Sequence, residues 1–223
     1  MPQNVRVLTT VTSSWGPDMA NTRRARPATT EKRQRILDST EEIILERGYA
    51  AVTSRSVAER VGIQPPHLHY YFKTIDDLFV AVLHRRSHGA VERMSAALES
   101  SEPLRAWWAL ASDRRGTALL VELLAAANHR AALRAEMAEM AKDIRRLQME
   151  RLEVLLEEYG IDPKRFTPAL VAATMQGLAF AVVADEAAGY DTCHEQAASD
   201  MDRLISALEL RRGGGAGGRR ETS

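Results

Sequence analysis

This chain of 223 residues has little of what marks out many kinds of protein. It holds one cysteine, Cys193, which excludes an internal disulfide framework and a cysteine-rich zinc site and suits a reducing compartment. Aromatic residues make up 5 % of it, and 30 Lys+Arg balance 30 Asp+Glu, so total charge advertises neither nucleic acid nor a membrane surface. There is no Gly-rich phosphate loop and no His-x-x-x-His pair with a carboxylate between. Asp76-Asp77 and Glu157-Glu158 are adjacent pairs, which point to different faces of a helix. These absences argue against an enzyme, a bound metal and an organic cofactor. The most apolar stretch, Ala169–Ala184, is interrupted by Thr174, Gln176 and Gly177 and falls short of the roughly 20 residues of a membrane span. It is expected to be a buried helix. Residues 1–21 lack the apolar run of a secretory signal. The expectation is a cytoplasmic protein with no membrane partner.

Strand-like alternation and internal repeats are also missing, and what remains is helical. Apolar residues reach 45 %, enough for a substantial core, and an all-α fold is expected. Residues 1–29, rich in Thr, Ser, Pro and Arg without periodicity, are expected to be a disordered arm, with translation starting at Met19. A first helix is expected over 30–47, capped by Thr30, with Ile36, Leu37, Thr40, Ile43 and Ile44 on one inward stripe and Gly48 ending it. A fourth, long helix begins near Ile75 and continues through Leu98. Five more follow, over 103–112, 116–129, 131–159, 163–187 and 191–210, separated at Pro or Gly. Residues 211–223 are expected to be a flexible tail.

The most informative stretch lies between the first and fourth helices. Thr53 or Ser54 caps a short helix whose Val57, Ala58 and Val61 face inward. Gly62 follows in a tight turn where positive φ suits a residue without Cβ. Pro65 and Pro66 then open another helix, where a missing N–H loses no bond. Leu68 and Phe72 anchor that helix, and His67, His69, Tyr70 and Tyr71 are left outside. Two helices joined in this way are the form in which a second helix enters a DNA major groove while the first braces it. His67, His69, Tyr70 and Tyr71 carry groups that match base edges, and Ser54, Arg55 and Lys73 suit phosphate. Residues 22–75 carry ten Lys/Arg against six Asp/Glu, a local excess of the sign DNA requires.

Residues 30–79 resemble the N-terminal domain of the tetracycline-repressor (TetR) family. The matching runs are Arg35-Ile36-Leu37, Gly48-Tyr49-Ala50-Ala51-Val52-Thr53, Val57-Ala58-Glu59-Arg60-Val61-Gly62-Ile63, Leu68-His69-Tyr70-Tyr71-Phe72 and Asp76-Asp77-Leu78-Phe79. The resemblance implies a three-helix DNA-binding domain over 30–76, with its helix-turn-helix at 53–72, and a helical regulatory and dimerisation domain over 77–210. It adds Gln64, Pro65 and Pro66 to the expected DNA contacts. Three positions depart from the family pattern: His67 replaces a small residue, His69 a tyrosine, and Ile75 a lysine that Lys73 stands near.

The resemblance further implies a homodimer on a palindromic double-stranded operator, released as a repressor when a small-molecule effector binds. An activator or a ligand-independent regulator shares the same DNA domain, and a helical adaptor is a remoter reading. The last two helices are expected to pair between copies, through Ala173, Gly177 and Ala181 on one and Met201, Leu204, Ile205 and Leu208 on the other. Candidate pocket residues on the earlier helices are Met94, Trp107, Trp108 and Glu122. Further along the chain they are Asn128, His129, Met137, Met140 and Phe180. Their composition suggests an apolar effector. Trp107 and Trp108 are adjacent, so a shared face is not expected. Glu122 and Asn128, polar within an apolar helix, need a partner, which ligand, backbone or water can each supply.

Overall fold

Threonine side chains cap the starts of three helices and glycines at positive φ mark several other ends in the computed structural model, which describes residues 27–189 and 194–217. Among these residues there is no strand, and the all-α expectation holds. The helices are α1 (Pro27–Arg47), α2 (Ser54–Val61), α3 (Pro65–Tyr71), α4 (Ile75–Ser87) and α5 (Ala90–Leu98), with a 3₁₀ turn at Tyr49–Ala51. Then come α6 (Pro103–Ala111), α7 (Arg114–Ala127), α8 (Ala131–Glu158), α9 (Pro168–Ala188) and α10 (His194–Gly217). Cys193 and Met19 lie outside the described residues.

Of the boundaries that differ from the expected ones, four have a local reason. The first helix starts at Pro27, whose fixed φ suits a first turn, and Thr30 therefore sits inside it. The long fourth helix is broken at His88-Gly89, where Gly89 takes φ +70°, so α4 and α5 are separate. The helix expected from Pro163 begins at Pro168, because Thr167 Oγ1 accepts the Leu170 N–H at 3.2 Å and caps it there. The last helix runs past Leu210 to Gly217, carried by Arg212, which donates to Glu158 and to the Ser101 carbonyl, both at 2.9 Å.

Two cores result. Core one packs Ile36, Leu37, Ile43 and Ile44 of α1 with Val57 and Val61 of α2, Leu68 of α3, Phe72 just after it, and Leu78, Phe79 and Val82 of α4. Leu119, Leu123 and Ala126 of α7 and Leu133 and Met137 of α8 complete it. The three-helix unit thus shares its core with two helices of the C-terminal half. Core two holds Leu98, Leu104, Trp107, Trp108, Leu152, Leu155, Tyr159, Ala172, Met175 and Ile205. Both tryptophans are inside, at 2 % and 7 % exposed, although they are consecutive. The reason is that α5, α9 and α10 all pack on α6, so more than one of its faces is covered.

One polar group stands out in core two. Glu209 of α10, 8 % exposed, accepts from the Leu104 and Arg105 N–H groups at 2.9 and 3.2 Å and from the Tyr159 hydroxyl at 2.7 Å. The first N–H groups of a helix lack intrahelical acceptors, and an anion is the favoured partner there. Burial, then the hydrogen bond to Glu209, pushes the Tyr159 phenol well above the usual tyrosine range.

Candidate nucleic-acid interface

The entry to α2 is a reciprocal cap. Thr53 Oγ1 accepts the Ser56 N–H at 3.1 Å, Ser56 Oγ accepts the Thr53 N–H at 2.9 Å, and the serine hydroxyl donates to the Ala51 carbonyl at 2.7 Å. At the other end Gly62 sits at φ +75° in the left-handed region, and the Ile63 N–H returns to the Ala58 carbonyl at 2.9 Å. Gln64 then opens α3 with Pro65 and Pro66 in its first turn. Leu68 and Phe72, 1 % and 4 % exposed, fix α3 to core one, and the Arg33 guanidinium lies over the Phe72 ring at 4.9 Å.

That anchoring leaves Gln64, Pro66, His67, His69 and Tyr70 exposed, Tyr70 at 78 %. Pro65 is half-buried, as is Tyr71, which packs against core one and meets Tyr70 edge-on at 5.2 Å. The two tyrosines therefore play different parts: Tyr71 steadies the helix and Tyr70 projects from it. Ser54 is half-buried at the start of α2, beside exposed Arg55. Arg55 and exposed Lys73 have no ion-pair partner among the described residues. Arg60 does: it donates to Glu46 at 2.6 Å and to Glu42 at 3.1 Å, tying α2 to α1 and holding the Glu46 carboxyl below its ordinary range. Its charge is thereby spent inside the unit, whereas Arg55 at the start of α2 and Lys73 just after α3 are among the cations left for phosphate.

His69 is also held. Its Nδ1 lies 3.1 Å from the Lys73 carbonyl oxygen. A carbonyl only accepts, so Nδ1 carries the proton, and in the neutral ring Nε2 keeps a lone pair. The donors that DNA offers in its major groove are the amino groups of adenine and cytosine, and a neutral His69 is matched to those.

Residues 36–82, within this unit, match the model of bacterial regulatory proteins of the tetR family. The N-terminal unit is thus similar to the DNA-binding domain of the tetR family. Over 85 residues it is 31 % identical to the HTH-type transcriptional activator FasR of Mycolicibacterium smegmatis, a match covering 38 % of this chain and 39 % of that protein. The chain therefore matches less than half the length of this curated relative. Whole-chain likeness comes from solved structures. A transcriptional regulator from Rhodococcus sp. Rha1 aligns at TM-score 0.59 and 21 % identity, over 81 % of this chain and 94 % of that one. The multidrug binding protein EbrR, complexed with ethidium, aligns at TM-score 0.55 and 27 % identity, over 78 % and 98 %.

The residues expected to line a ligand pocket are spread over both cores and the surface. Trp107 and Met94 belong to core two, and Met137 and Met140 to core one. Phe180 is half-buried on α9, and Asn128 and His129 are exposed at the end of α7. Glu122 has a backbone partner: its Oε2 accepts the Tyr49 N–H at 2.7 Å. Trp108 alone of the nine lines a cleft of about 350 Å³, together with Arg114, Thr117, Ala179, Val183 and Asp202. No local signal pointed to those five, because α6, α7, α9 and α10 meet there only in the folded chain.

The expected pairing residues also separate. Ala173, Gly177 and Ala181 form an open face of α9, where nothing lies within 4 Å of a Cβ built on Gly177. Leu170 on that helix and Leu204 on α10 are 50 % and 55 % exposed. Ile205, by contrast, is 2 % exposed in core two, with Met201 and Leu208 packed against it. The apolar spacing on α10 thus marked its inward side, and Leu204 is the member that faces out. Helix α9 is long and apolar enough to cross a membrane, and only 22 % of its most apolar stretch is buried within this copy. It is less covered than the buried helix its composition suggested.

Proposed function

We propose that the chain is a dimeric, DNA-binding transcriptional regulator, a cytoplasmic repressor released from a near-palindromic operator by a small molecule. The observation that carries the reading is the face of α3. His67, His69 and Tyr70 stand exposed on a helix locked by Leu68 and Phe72, flanked by the unpaired cations Arg55 and Lys73. Base-matching groups and phosphate-matching charges are what recognition and positioning on a duplex respectively need. The open faces of α9 and α10 support a second copy, whose two-fold axis sets two α3 helices about one DNA turn apart. Gln64, Pro66, His67, His69 and Tyr70 take the groove, Ser54, Arg55 and Lys73 take phosphate, and Pro65 and Tyr71 shape the helix. The residues in these roles work without metal, cofactor or covalent step, and the reading is not enzymatic.

The cleft beside Trp108 is the effector site we favour. Its walls mix Ala179 and Val183 with Arg114, Thr117 and Asp202, so its ligand has an apolar body with a polar edge rather than being wholly apolar. The structure of EbrR with ethidium shows that a protein of this fold, 27 % identical to the chain, binds a small aromatic cation. Binding weakens the DNA complex only as far as the effector prefers the released geometry. The test is titration of the full-length protein onto its own upstream DNA at about 50 mM and about 200 mM salt, where phosphate contacts predict a steep loss. Trp108 fluorescence reports effector binding in parallel. Equal affinity for upstream and unrelated DNA ends the regulator reading. A second reading, an activator, is favoured by the name of FasR, and reporter expression in a strain lacking the chain separates the two.

A further inference from the structure

The turn between α1 and α2 is built around a glycine and a distant carboxylate. Gly48 adopts φ 78° and ψ 164°, a region that side chains with Cβ almost never enter. The next N–H, that of Tyr49, follows the end of α1 and takes its acceptor from α7: Glu122 Oε2 at 2.7 Å, 73 residues along the chain. A Cβ on Gly48 would stand 3.4 Å from the same oxygen, in ordinary van der Waals contact with it, so the constraint on this position is its φ. Hydrogen bonds from N–H to a carboxylate are about twice as strong as those between neutral groups. Around this contact Leu119, Leu123 and Ala126 of α7 are buried with Ile36, Leu37 and Val52. The same helix begins at the cleft, where Arg114 and Thr117 are wall residues. Arg114 and Glu122 are separated by about 12 Å of helix rise. α7 is therefore a rigid piece with one end at the cleft and a carboxylate on the turn that feeds α2 and α3.

We propose that Glu122 is a positioning residue for DNA binding, through which α7 sets the angle at which α2 and α3 are presented. This rests on the regulator reading above. It adds a contact of α7 with the α1–α2 turn beside the ties of α4 to the C-terminal half, among them the Asp76–Arg130, His84–Glu136 and Arg86–Asp113 pairs.

The experiment uses full-length wild type, Glu122→Ala and Glu122→Gln. The probes are a duplex selected by wild type from a random pool and two versions with the half-site separation changed by one base pair each way. Glu122→Ala is expected to bind the selected duplex about tenfold more weakly and to lose most of its preference for the original spacing. Glu122→Gln keeps a neutral acceptor and is expected to stay within about threefold of wild type, with faster hydrogen exchange at the Tyr49 amide. Equal losses for Glu122→Ala on all three duplexes mean a merely structural role and overturn the proposal, as does wild-type behaviour. Should Glu122→Ala fail to fold, Glu122→Gln decides: unchanged Tyr49 exchange and an unchanged spacing profile overturn it. Wild type selecting no duplex overturns the regulator reading itself.

Discussion

Each core of this molecule borrows one glutamate from a distant helix, and the two carboxylates are used differently. In core two Glu209 is 8 % exposed and satisfies two backbone N–H groups and a phenol, closing α10 onto α6 and α8. At the edge of core one Glu122 is half-buried and makes one hydrogen bond, to a turn. A buried carboxylate with several partners is costly to disturb, because every partner is left unpaired with it. A half-buried one with a single partner holds a position that a modest free energy can change. The comparison separates a joint that carries stability from a joint that carries adjustment.

The largest effect should come from breaking the first. Glu209→Ala leaves the Tyr159 hydroxyl and the Leu104 and Arg105 N–H groups without their acceptor, and should cost about 3 kcal/mol of stability, read by denaturant unfolding. A cost matching that of Glu122→Ala would erase the distinction. Next comes the open face: Leu204→Glu puts a charge on an exposed apolar position and should weaken self-association by about 100-fold, measured by sedimentation equilibrium. A wild-type chain that sediments as a monomer removes α9 and α10 as a pairing surface. On α3, His67→Ala should change the preference at one base position by about 1–3 kcal/mol in a panel of operator variants. Lys73→Ala should instead weaken all variants alike and lower the salt slope by about one. Uniform loss for His67→Ala would assign it to phosphate. The smallest effect concerns Glu46, whose carboxyl Arg60 holds below its ordinary range. The contribution of that pair is present above the ordinary carboxylate range and disappears as pH falls through the depressed value. Glu46→Gln should therefore lower stability slightly at neutral pH, flatten the shallow acid-side slope, and converge with wild type in acid.

What could be read from the residues alone was local. Thr53 as a cap, Gly62 in the left-handed region and the prolines opening α3 each follow from the chemistry of a few neighbours, and they stand in the structure as expected. The inward set Leu68 and Phe72 followed from helical spacing. What escaped was long-range. Glu122 needed a partner, but nothing near it named a backbone N–H 73 residues away. Glu209, 105 residues from Leu104, gave no sign at all. On α10 the regular apolar spacing was real, yet periodicity says which residues share a face and not whether that face meets its own chain or another. The cleft beside Trp108 escaped for a related reason: its walls come from four helices, and only Trp108 was distinctive enough to single out.

The exposed flank of α9 has a consequence for the cell as well as for the molecule. A newly made chain carries a helix with the composition of a membrane span and little of it covered. On the dimer reading proposed above, such a surface invites chaperones, proteases and aggregation until a second copy covers it. On the same reading, below the concentration at which copies pair, the pool of chains able to grip two half-sites would rise with the square of synthesis. A small change in gene dosage would then be felt as a larger change in occupancy, giving the regulator a threshold set by its own abundance.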